Sequence, residues 1–559
     1  RIGGPNNTLG GTEAGARNVI SGNSQTGVLI TDTTATGNHV EGNYIGTAKD
    51  GATALGNAEG GIRVESANND IGGATAGAGN VISGNSLFGM RVFGSEASGN
   101  SVRGNLICTT ADGMAAVSAT APNYGVAISG GASGNQVGGD AAAERNVISG
   151  SPGPGVDISN AGTDNNVVVG NYIGTDKLGT AAIPNGGVGV AVYDSAAGNR
   201  VGGPNAGEGN VISGNTWIGV DIHTQATGTV VQGNLIGTQP DGVTPLGNSS
   251  PGVRLFTGAT GNLIGGTGAG EGNVIAHNAG DGVLMHDTNT TGNAVRGNRI
   301  FDNGGLGINL AGGNEDSFGV TANDPDDSDT GPNELTNYPI LLSALTSSST
   351  TTITGKLKID TSLTAADIEV FSSPAADGSG HGEGQDFVVR FHPSDSSGNF
   401  TIGVTPAIPA GAWITAVTID QNGNTSEFSK ALQEGTEAGA DYGDAPSDET
   451  TYRYLTRLAE DGARHFNNSA LHLGPAIDYE ADGSPTLGAD GDDLNNTPND
   501  EDGVVSAPKT LMPGQTANLR VNASGAGYLS GWVDLNRDGD WEDPGEQVVL
   551  DAMNEAMTR

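Results

Sequence analysis

The chain has 559 residues, too many for one ordinary domain, and carries a net charge of −40. This acidic excess argues against binding to nucleic acid phosphates or to anionic membrane surfaces, and it suits a solvated extracellular protein. Only 4% of the residues are aromatic and 95 are glycine, but the apolar residues recur at regular positions, so the chain is not expected to be disordered. No apolar run is long enough to span a membrane.

A short phrase, Asn-x-aliphatic-x-Gly, recurs about every 31 residues through the first 313 residues. Each repeat continues with a second stretch such as NVISGN or GNYIGT, and then with a third such as GVDI. Within each stretch aliphatic residues alternate with small or polar ones, which is typical of half-buried strands. The Asn of the phrase stands at Asn7, Asn38, Asn69, Asn100, Asn135, Asn166, Asn199, Asn262 and Asn293, and Thr229 takes its place once.

These features predict a parallel β-helix of about ten coils over residues 1–313, with three short strands in each coil. Glycine and asparagine tolerate the left-handed backbone of sharp corners, so they are expected between the strands. Identical asparagines in successive coils can stack into hydrogen-bonded ladders. The asparagine columns are therefore interpreted as structural.

One column of the third strand is expected to face outward and carries the candidate catalytic residues. Asp157 and Asp221 lie two coils apart, so their backbones are expected about 10 Å apart, near the upper limit for the carboxylate pair of an inverting glycosidase. His223 points the same way as Asp221, and Arg254 follows one coil later. The full column is Leu29, Arg63, Arg91, Ala127, Asp157, Ala191, Asp221, Arg254, Leu284 and Asn309.

The alternative interpretation is that these are scattered charges that keep an exposed strand face soluble. Tyr193 and Trp217 stand apart in the sequence, so no aromatic platform for a sugar is predicted. The sequence therefore favours a rod without an active site.

Residues 314–338 lose the repeat and form an acidic connector. Asp324, Asp327 and Asp329 crowd together there, and an oxygen-rich loop of this kind suits Ca²⁺. An acidic, solvated linker is the other interpretation, and the sequence leaves both open.

Residues 339–432 alternate apolar and polar residues between turn signals such as SSGN and QNGN, which predicts an antiparallel β-sandwich of about seven strands. His381, Glu383 and Asp386 are polar neighbours in one of its loops. A loop with satisfied hydrogen bonds is favoured there over a metal site.

The C-terminal part is divided into an acidic segment, 433–506, and a further β domain, 507–559, which is expected to be truncated. DLNRDGDWEDPGE within it follows the start of an EF-hand loop and predicts a Ca²⁺ site. The pattern departs at Gly545, where an EF-hand has its bidentate Glu, and the flanking residues resemble strands. The predicted ligands are Asp534, Asn536, Asp538, the carbonyl of Asp540, and Glu546; an Asp-rich hairpin turn is the alternative.

A second, weaker cation site is expected in the acidic segment, where many unpaired carboxylates repel one another. Its candidate ligands are Asp490, Asp492 and Asp493, with Asp500, Glu501 and Asp502 nearby.

Through NVISGN and GNYIGT, the first 313 residues resemble bacterial secreted or surface-anchored right-handed parallel β-helix repeat proteins. GHGEGQDF and DQNGNTSEFS resemble the Ig-like module that follows the rod in those proteins, and GYLSGWVDLNRDGDWEDPGEQV resembles a GEVED-type domain.

The resemblance implies a non-catalytic, extracellular structural or adhesive scaffold of a bacterial surface, fibre or matrix, stabilised by Ca²⁺. Extracellular glycans or cell-surface and matrix proteins are the implied partners, together with self-association into fibres. A polysaccharide lyase or glycoside hydrolase that acts on the β-helix face is one alternative, and a filament-forming subunit is the other.

Overall fold

The computed structural model describes residues 1–117, 124–324, 327–393 and 398–435, together with short strands of the C-terminal part. Within residues 1–311, thirty short strands form three parallel sheets of ten strands each, and successive neighbours in every sheet are one coil apart along the chain. This arrangement is a right-handed parallel β-helix of ten coils, as the repeat predicts. Among the described residues, no helix is long and apolar enough to cross a membrane.

The strands of each sheet follow in coil order. The first sheet comprises Thr8–Gly10, His39–Glu41, Asp70–Gly72, Ser101–Arg103, Gln136–Gly138, Val167–Val169, Arg200–Gly202, Val230–Gln232, Leu263–Gly265 and Ala294–Arg296. The second comprises Val19–Ile20, Tyr44–Ile45, Val81–Ile82, Leu106–Ile107, Val147–Ile148, Tyr172–Ile173, Val211–Ile212, Leu235–Ile236, Val274–Ala276 and Arg299–Phe301. The third comprises Val28–Ile30, Ile62–Val64, Phe88–Phe93, Tyr124–Ser129, Val156–Ser159, Val190–Tyr193, Val220–His223, Val253–Phe256, Val283–His286 and Ile308–Ala311.

Alternating aliphatic residues fill the interior of the rod. Ile62 and Val64 are fully buried while Arg63 between them faces outward, and the same pattern recurs in later coils. Each added coil therefore extends one continuous core, and a single coil has little core of its own.

Asparagine ladders run along the corners between the sheets. The backbone N–H of Asn69 donates to Oδ1 of Asn100 at 2.9 Å, and the side-chain amide of Asn38 donates to Oδ1 of Asn69 at 2.9 Å. These asparagines are almost fully buried, so each amide replaces the hydrogen bonds that the corner backbone would otherwise make with water. The structural interpretation of the asparagine columns is confirmed.

Thr229 interrupts the ladder of the first sheet. Its backbone N–H still donates to Oδ1 of Asn262 at 2.8 Å, but its buried hydroxyl has no hydrogen-bond partner. In the preceding coil, Oδ1 of Asn199 accepts the backbone N–H of Asn166. Thr229 has no side-chain amide that could accept the N–H of Asn199 in the same way.

Seven strands form the sandwich, in sheets of three and four. The first sheet contains Ile340–Ser347, Thr350–Lys356 and Asn399–Val404, and the second contains Asp386–Phe391, Asp367–Ser373, Trp413–Ile419 and Leu432–Gln433. Residues 425–431 belong to no strand of either sheet and contact the last coil of the rod, where Thr425 accepts the N–H of Val295 and Glu427 that of Leu310. Short 3-10 helices lie at Ala14–Ala16, Ala142–Glu144, Pro332–Leu335 and Leu363–Ala365.

The sandwich closes the C-terminal end of all three sheets of the rod. Glu427 accepts the backbone N–H of Leu310 at 2.9 Å, and Glu383 accepts that of Asn303 at 3.0 Å. Glu369 accepts the N–H of Gly297 at 2.8 Å. Rod and sandwich therefore belong to one compact unit, Arg1–Gly435.

The C-terminal unit, Thr436–Arg559, contains three antiparallel strand pairs in its described part. They are Ala440–Tyr442 with Arg464–Phe466, Val504–Ser506 with Arg520–Val521, and Gly527–Trp532 with Gln547–Asn554.

Replacing Thr229 by Asn should restore the interrupted ladder. We expect Thr229→Asn to raise the free energy of unfolding by about 1 kcal/mol, the usual net value of a buried hydrogen bond. Chemical denaturation measures the change. Asn69→Thr is the matched control and should lower the same quantity, whereas a Thr229→Asn variant that is less stable than the parent would contradict this account of the ladder.

Candidate functional site

The third sheet carries the predicted catalytic residues in the predicted register. Asp157 pairs with Ala191, Ala191 with Asp221, and Asp221 with Arg254. Asp157 and Asp221 are thus two strand spacings apart, which is about 10 Å. His223 lies two residues after Asp221 in the same strand and faces the same side.

The two carboxylates face outward but are not exposed. Only 3% of the surface of Asp157 and 3% of that of Asp221 is accessible, because larger neighbours fold over them. The interpretation of these residues as solubilising surface charges is therefore wrong. Buried carboxylates require partners, and each of them has some.

Asp221 forms a two-pronged ion pair with Arg254, in which Nε and Nη2 each donate to one carboxylate oxygen at 2.9 Å. The guanidinium is held between two rings, 4.7 Å from the centroid of Trp217 and 4.2 Å from that of Phe256. Nε2 of His223 lies 3.9 Å from Asp221. Asp221 is thus engaged by a cation that is itself clamped in place.

Among the described residues, the hydrogen-bond donors to Asp157 are neutral, and the charge of Arg91 acts on it without a hydrogen bond. Ser159 donates to it at 3.2 Å, and the Tyr193 hydroxyl hydrogen-bonds to it. Burial raises the pKa of Asp157 to about 6 in spite of these bonds. Burial and the adjacent carboxylate also raise the pKa of Tyr193. Asp157 can therefore hold a proton in mildly acidic solution.

Four rings stack along the same sheet, one from each of four successive coils. The centroids of Tyr193 and His223 are 4.8 Å apart, those of His223 and Phe256 are 4.7 Å apart, and those of Phe256 and His286 are 4.8 Å apart. The prediction that Tyr193 and Trp217 stand alone is wrong. The sequence contains a signal for this row, because each of the four ring residues lies two positions after a residue of the predicted outward column.

The stacking limits what this row can bind. Each inner ring has both faces covered by its neighbours, so an approaching molecule meets ring edges. Burial is the main cause that lowers the pKa of His223, and the positive charge of Arg254 adds to it. His223 is thus neutral at neutral pH, and its Nδ1 lies 2.7 Å from the Thr224 hydroxyl.

The acidic connector brings Asp324, Asp327 and Asp329 together, with one carboxylate oxygen of each within 4.8 Å of the others. Asp327 is 6% exposed and accepts the backbone N–H of Asn337 at 2.7 Å, so this part of the connector is packed and is not a solvated linker. Oδ1 of Asp324 and Oδ1 of Asp329 are buried and have no hydrogen-bond partner among the residues that the structure describes. Oxygen atoms of this kind fit a Ca²⁺ ion.

Electrostatics in the connector favour the same ligand. Burial raises the pKa of Asp327 to about 6, and burial followed by the charge of Asp324 raises the pKa of Asp329. A divalent cation would relieve both effects.

The three polar neighbours of the sandwich loop have separate partners. Glu383 caps Asn303, Asp386 lies 3.3 Å from Arg299, and Nδ1 of His381 lies 3.3 Å from the carbonyl oxygen of Phe428. The loop is therefore satisfied, as favoured from the sequence, and these residues are not brought together around a metal.

The predicted Ca²⁺ ligands of the C-terminal part lie outside the described residues. They are Asp534, Asn536, Asp538, Asp540 and Glu546, and the weaker set Asp490, Asp492 and Asp493. Both remain predictions. The strands on either side of the first set, Gly527–Trp532 and Gln547–Asn554, pair antiparallel.

No family model matches the sequence, and no curated protein matches it. Among solved structures, a periplasmic alginate epimerase shares 16% identity at a TM-score of 0.27, over 50% of this chain and 60% of the epimerase chain. The enzymatically active domain of a tailspike protein from bacteriophage CBA120 shares 9% identity at a TM-score of 0.20, over 74% of this chain and 72% of the other. At such low similarity the two structures carry no information about the activity of this chain.

Removing Arg254 should leave Asp221 as an uncompensated buried charge. We expect Arg254→Met to lower the free energy of unfolding by about 3–5 kcal/mol, and Asp221→Leu combined with Arg254→Met to recover most of that loss. Denaturation curves measure both. Arg1→Met is the control, because its pair with Asp32 is exposed and should contribute less than about 1 kcal/mol. Equal effects of the two single variants would contradict the buried-pair account.

Proposed function

We propose that the protein is a non-catalytic, extracellular structural and adhesive scaffold of a bacterial surface, whose rod binds glycans along the third sheet. The observation that carries this proposal is the mutual engagement of the outward groups on that sheet. Asp221 is held by Arg254, and Asp157 is hydrogen-bonded to Tyr193. A catalytic acid or base must reach the bond that it acts on, and both carboxylates are almost fully buried.

The architecture supports a scaffold as well. Ten coils joined by buried asparagine ladders make a stiff rod, and its C-terminal end is closed by the sandwich. The net charge of −40 suits a solvated surface protein. Exposed Trp217 beside the ring row offers an aromatic contact for a sugar.

A second candidate function is the cleavage of a polysaccharide on the same face. Asp157 favours it, because a carboxyl with a pKa of about 6 is suited to donate a proton to a leaving oxygen. Asp221, about 10 Å away, would then be the base of an inverting pair. That role requires Arg254 to release Asp221 and Tyr193 to release Asp157.

Turnover assays separate the two functions. We expect reducing-sugar release and the ultraviolet absorbance of unsaturated products to stay at background with a panel of neutral and acidic polysaccharides. Product formation that is lost in Asp157→Asn and kept in Asp50→Asn, a matched aspartate on an exposed loop, would establish the enzyme and overturn the scaffold proposal.

We also propose that Ca²⁺ stabilises the connector between rod and sandwich through Asp324, Asp327 and Asp329. The support is the convergence of three carboxylates, together with two buried oxygens that have no hydrogen-bond partner in the described part of the chain. The ion would rigidify the join between the rod and the sandwich.

Calcium should raise the melting temperature of the protein, and more at pH 7.5 than at pH 5. The sign follows from the pKa of Asp327, about 6, because Ca²⁺ binds the ionised carboxylate, which predominates only above that pH. Asp329→Asn should reduce the Ca²⁺-induced shift, whereas Asp50→Asn should leave it unchanged. Equal shifts in the two variants, measured by differential scanning calorimetry, would place calcium elsewhere in the chain.

A further inference from the structure

We propose that Arg63 and Arg91, together with the ring of Phe93, form a binding site for the carboxylate or sulfate groups of an anionic polysaccharide. This inference rests on the proposed glycan-binding scaffold and specifies its ligand. The site lies on the third sheet, in coils two and three, away from the row of four rings.

The two arginines are placed side by side. Arg63 and Arg91 are register partners in adjacent parallel strands, so their backbones are about 4.8 Å apart. Both guanidinium groups lie over the ring of Phe93, at 5.0 Å and 4.3 Å from its centroid. Two like charges at this spacing repel each other, and an anion between them removes that repulsion.

Of the two arginines, only Arg63 has an ion-pair partner in contact among the described residues, and the carboxylates of Asp157 and Glu65 act on Arg91 from a longer distance. Arg63 pairs with Glu65, which also accepts the Thr31 hydroxyl at 2.8 Å. Arg91 makes no ion pair in the described part of the chain; its Nε and Nη2 reach the hydroxyl of Ser129 at 3.3 Å and 3.1 Å. Residues 118–123, which precede the next strand of the sheet, contain no acidic residue that could pair with it.

Two further observations describe the surroundings of the two guanidinium groups. Nε of Arg63 is buried and has no hydrogen-bond partner among the described residues. Burial, followed by repulsion from Arg63, lowers the pKa of Arg91. In a chain with 63 acidic and only 23 basic residues, Arg91 lies beside a second arginine and has no carboxylate in contact among the described residues.

The geometry of the site selects its ligand. A planar guanidinium donates two parallel hydrogen bonds to a carboxylate or sulfate, and two adjacent forks can hold one such group or bridge two. Phe93 adds an apolar surface beside them. Anionic polysaccharides space their charges a sugar apart, so the repulsion from the acidic protein is weaker than for nucleic acid, and salt screens it beyond about 8–10 Å.

Isothermal titration calorimetry on the full chain tests the proposal with three probes: polygalacturonate, chondroitin sulfate and neutral dextran. We expect at least one of the two anionic polymers to bind and dextran to bind at least ten-fold more weakly. The two anionic probes distinguish a carboxylate from a sulfate as the recognised group. Arg91→Gln should weaken binding of the anionic polymer about ten-fold, and Arg91→Lys should weaken it less.

Arg145→Gln is the matched control. Arg145 also stacks on a ring, 4.0 Å from Tyr172, and makes no ion pair within the described residues, but it belongs to a different corner of the rod. Its variant should bind like the parent, and circular dichroism should show that all three variants are folded. Equal loss in Arg91→Gln and Arg145→Gln would overturn the assignment of the site.

The outcomes also separate this inference from the function on which it rests. Equal binding of dextran and the anionic polymers, unchanged in Arg91→Gln, would overturn the arginine site and leave the glycan-binding scaffold standing. Absence of binding to all three polymers would count against both. Conversion of a bound polymer to product would overturn the scaffold and leave the arginine site as a substrate-binding site.

Discussion

The register between neighbouring coils is the constraint on which the rod depends. Strands of two or three residues make too few backbone hydrogen bonds to fix their own alignment, so corner side chains must supply it. Each buried Asn accepts from the preceding coil through Oδ1 and donates onward through its amide, as between Asn38, Asn69 and Asn100. A slip by one residue would break these bonds and turn the aliphatic residues outward. Register, core and outward columns are therefore set together.

This coupling explains how much of the fold could be predicted from the sequence. A repeat that fixes one strand fixes all the equivalent strands, so the outward column from Leu29 to Asn309 was predicted residue by residue. The burial of Asp157 and Asp221 could not be predicted, because it depends on the conformations of side chains in neighbouring strands, such as Tyr193 and Arg254. The contacts of Glu383 and Glu427 with the end of the rod could not be predicted either. The two glutamates belong to a domain without the repeat, and their partners in the rod lie 80 and 117 residues away.

The third sheet shows how a chain poor in aromatic residues builds a polar face. Its rings stack on one another between coils, and its carboxylates find arginine, serine or tyrosine partners in neighbouring strands. Stacking at the strand spacing costs little conformational entropy, because the parallel backbone already places equivalent side chains together. Because the carboxylates are engaged by these partners, they are not free to act as a catalytic acid or base. What remains open to a ligand is the part of the face where pairing is incomplete, at Arg91.

The end of the rod poses a separate physical problem. The last coil of a β-helix presents three rows of unpaired N–H and C=O groups, which would otherwise invite another rod to add on. Three glutamates of the sandwich accept N–H groups there, although burial raises the pKa of Glu383 to about 7 and that of Glu427 to about 8. These side-chain acceptors, together with the backbone carbonyl of Gly384 that accepts the N–H of Ile300 at 2.9 Å, end the hydrogen-bond ladder. End-to-end stacking of rods at this end is thereby blocked, which favours a scaffold that acts through its faces over one that grows into a filament by stacking coils.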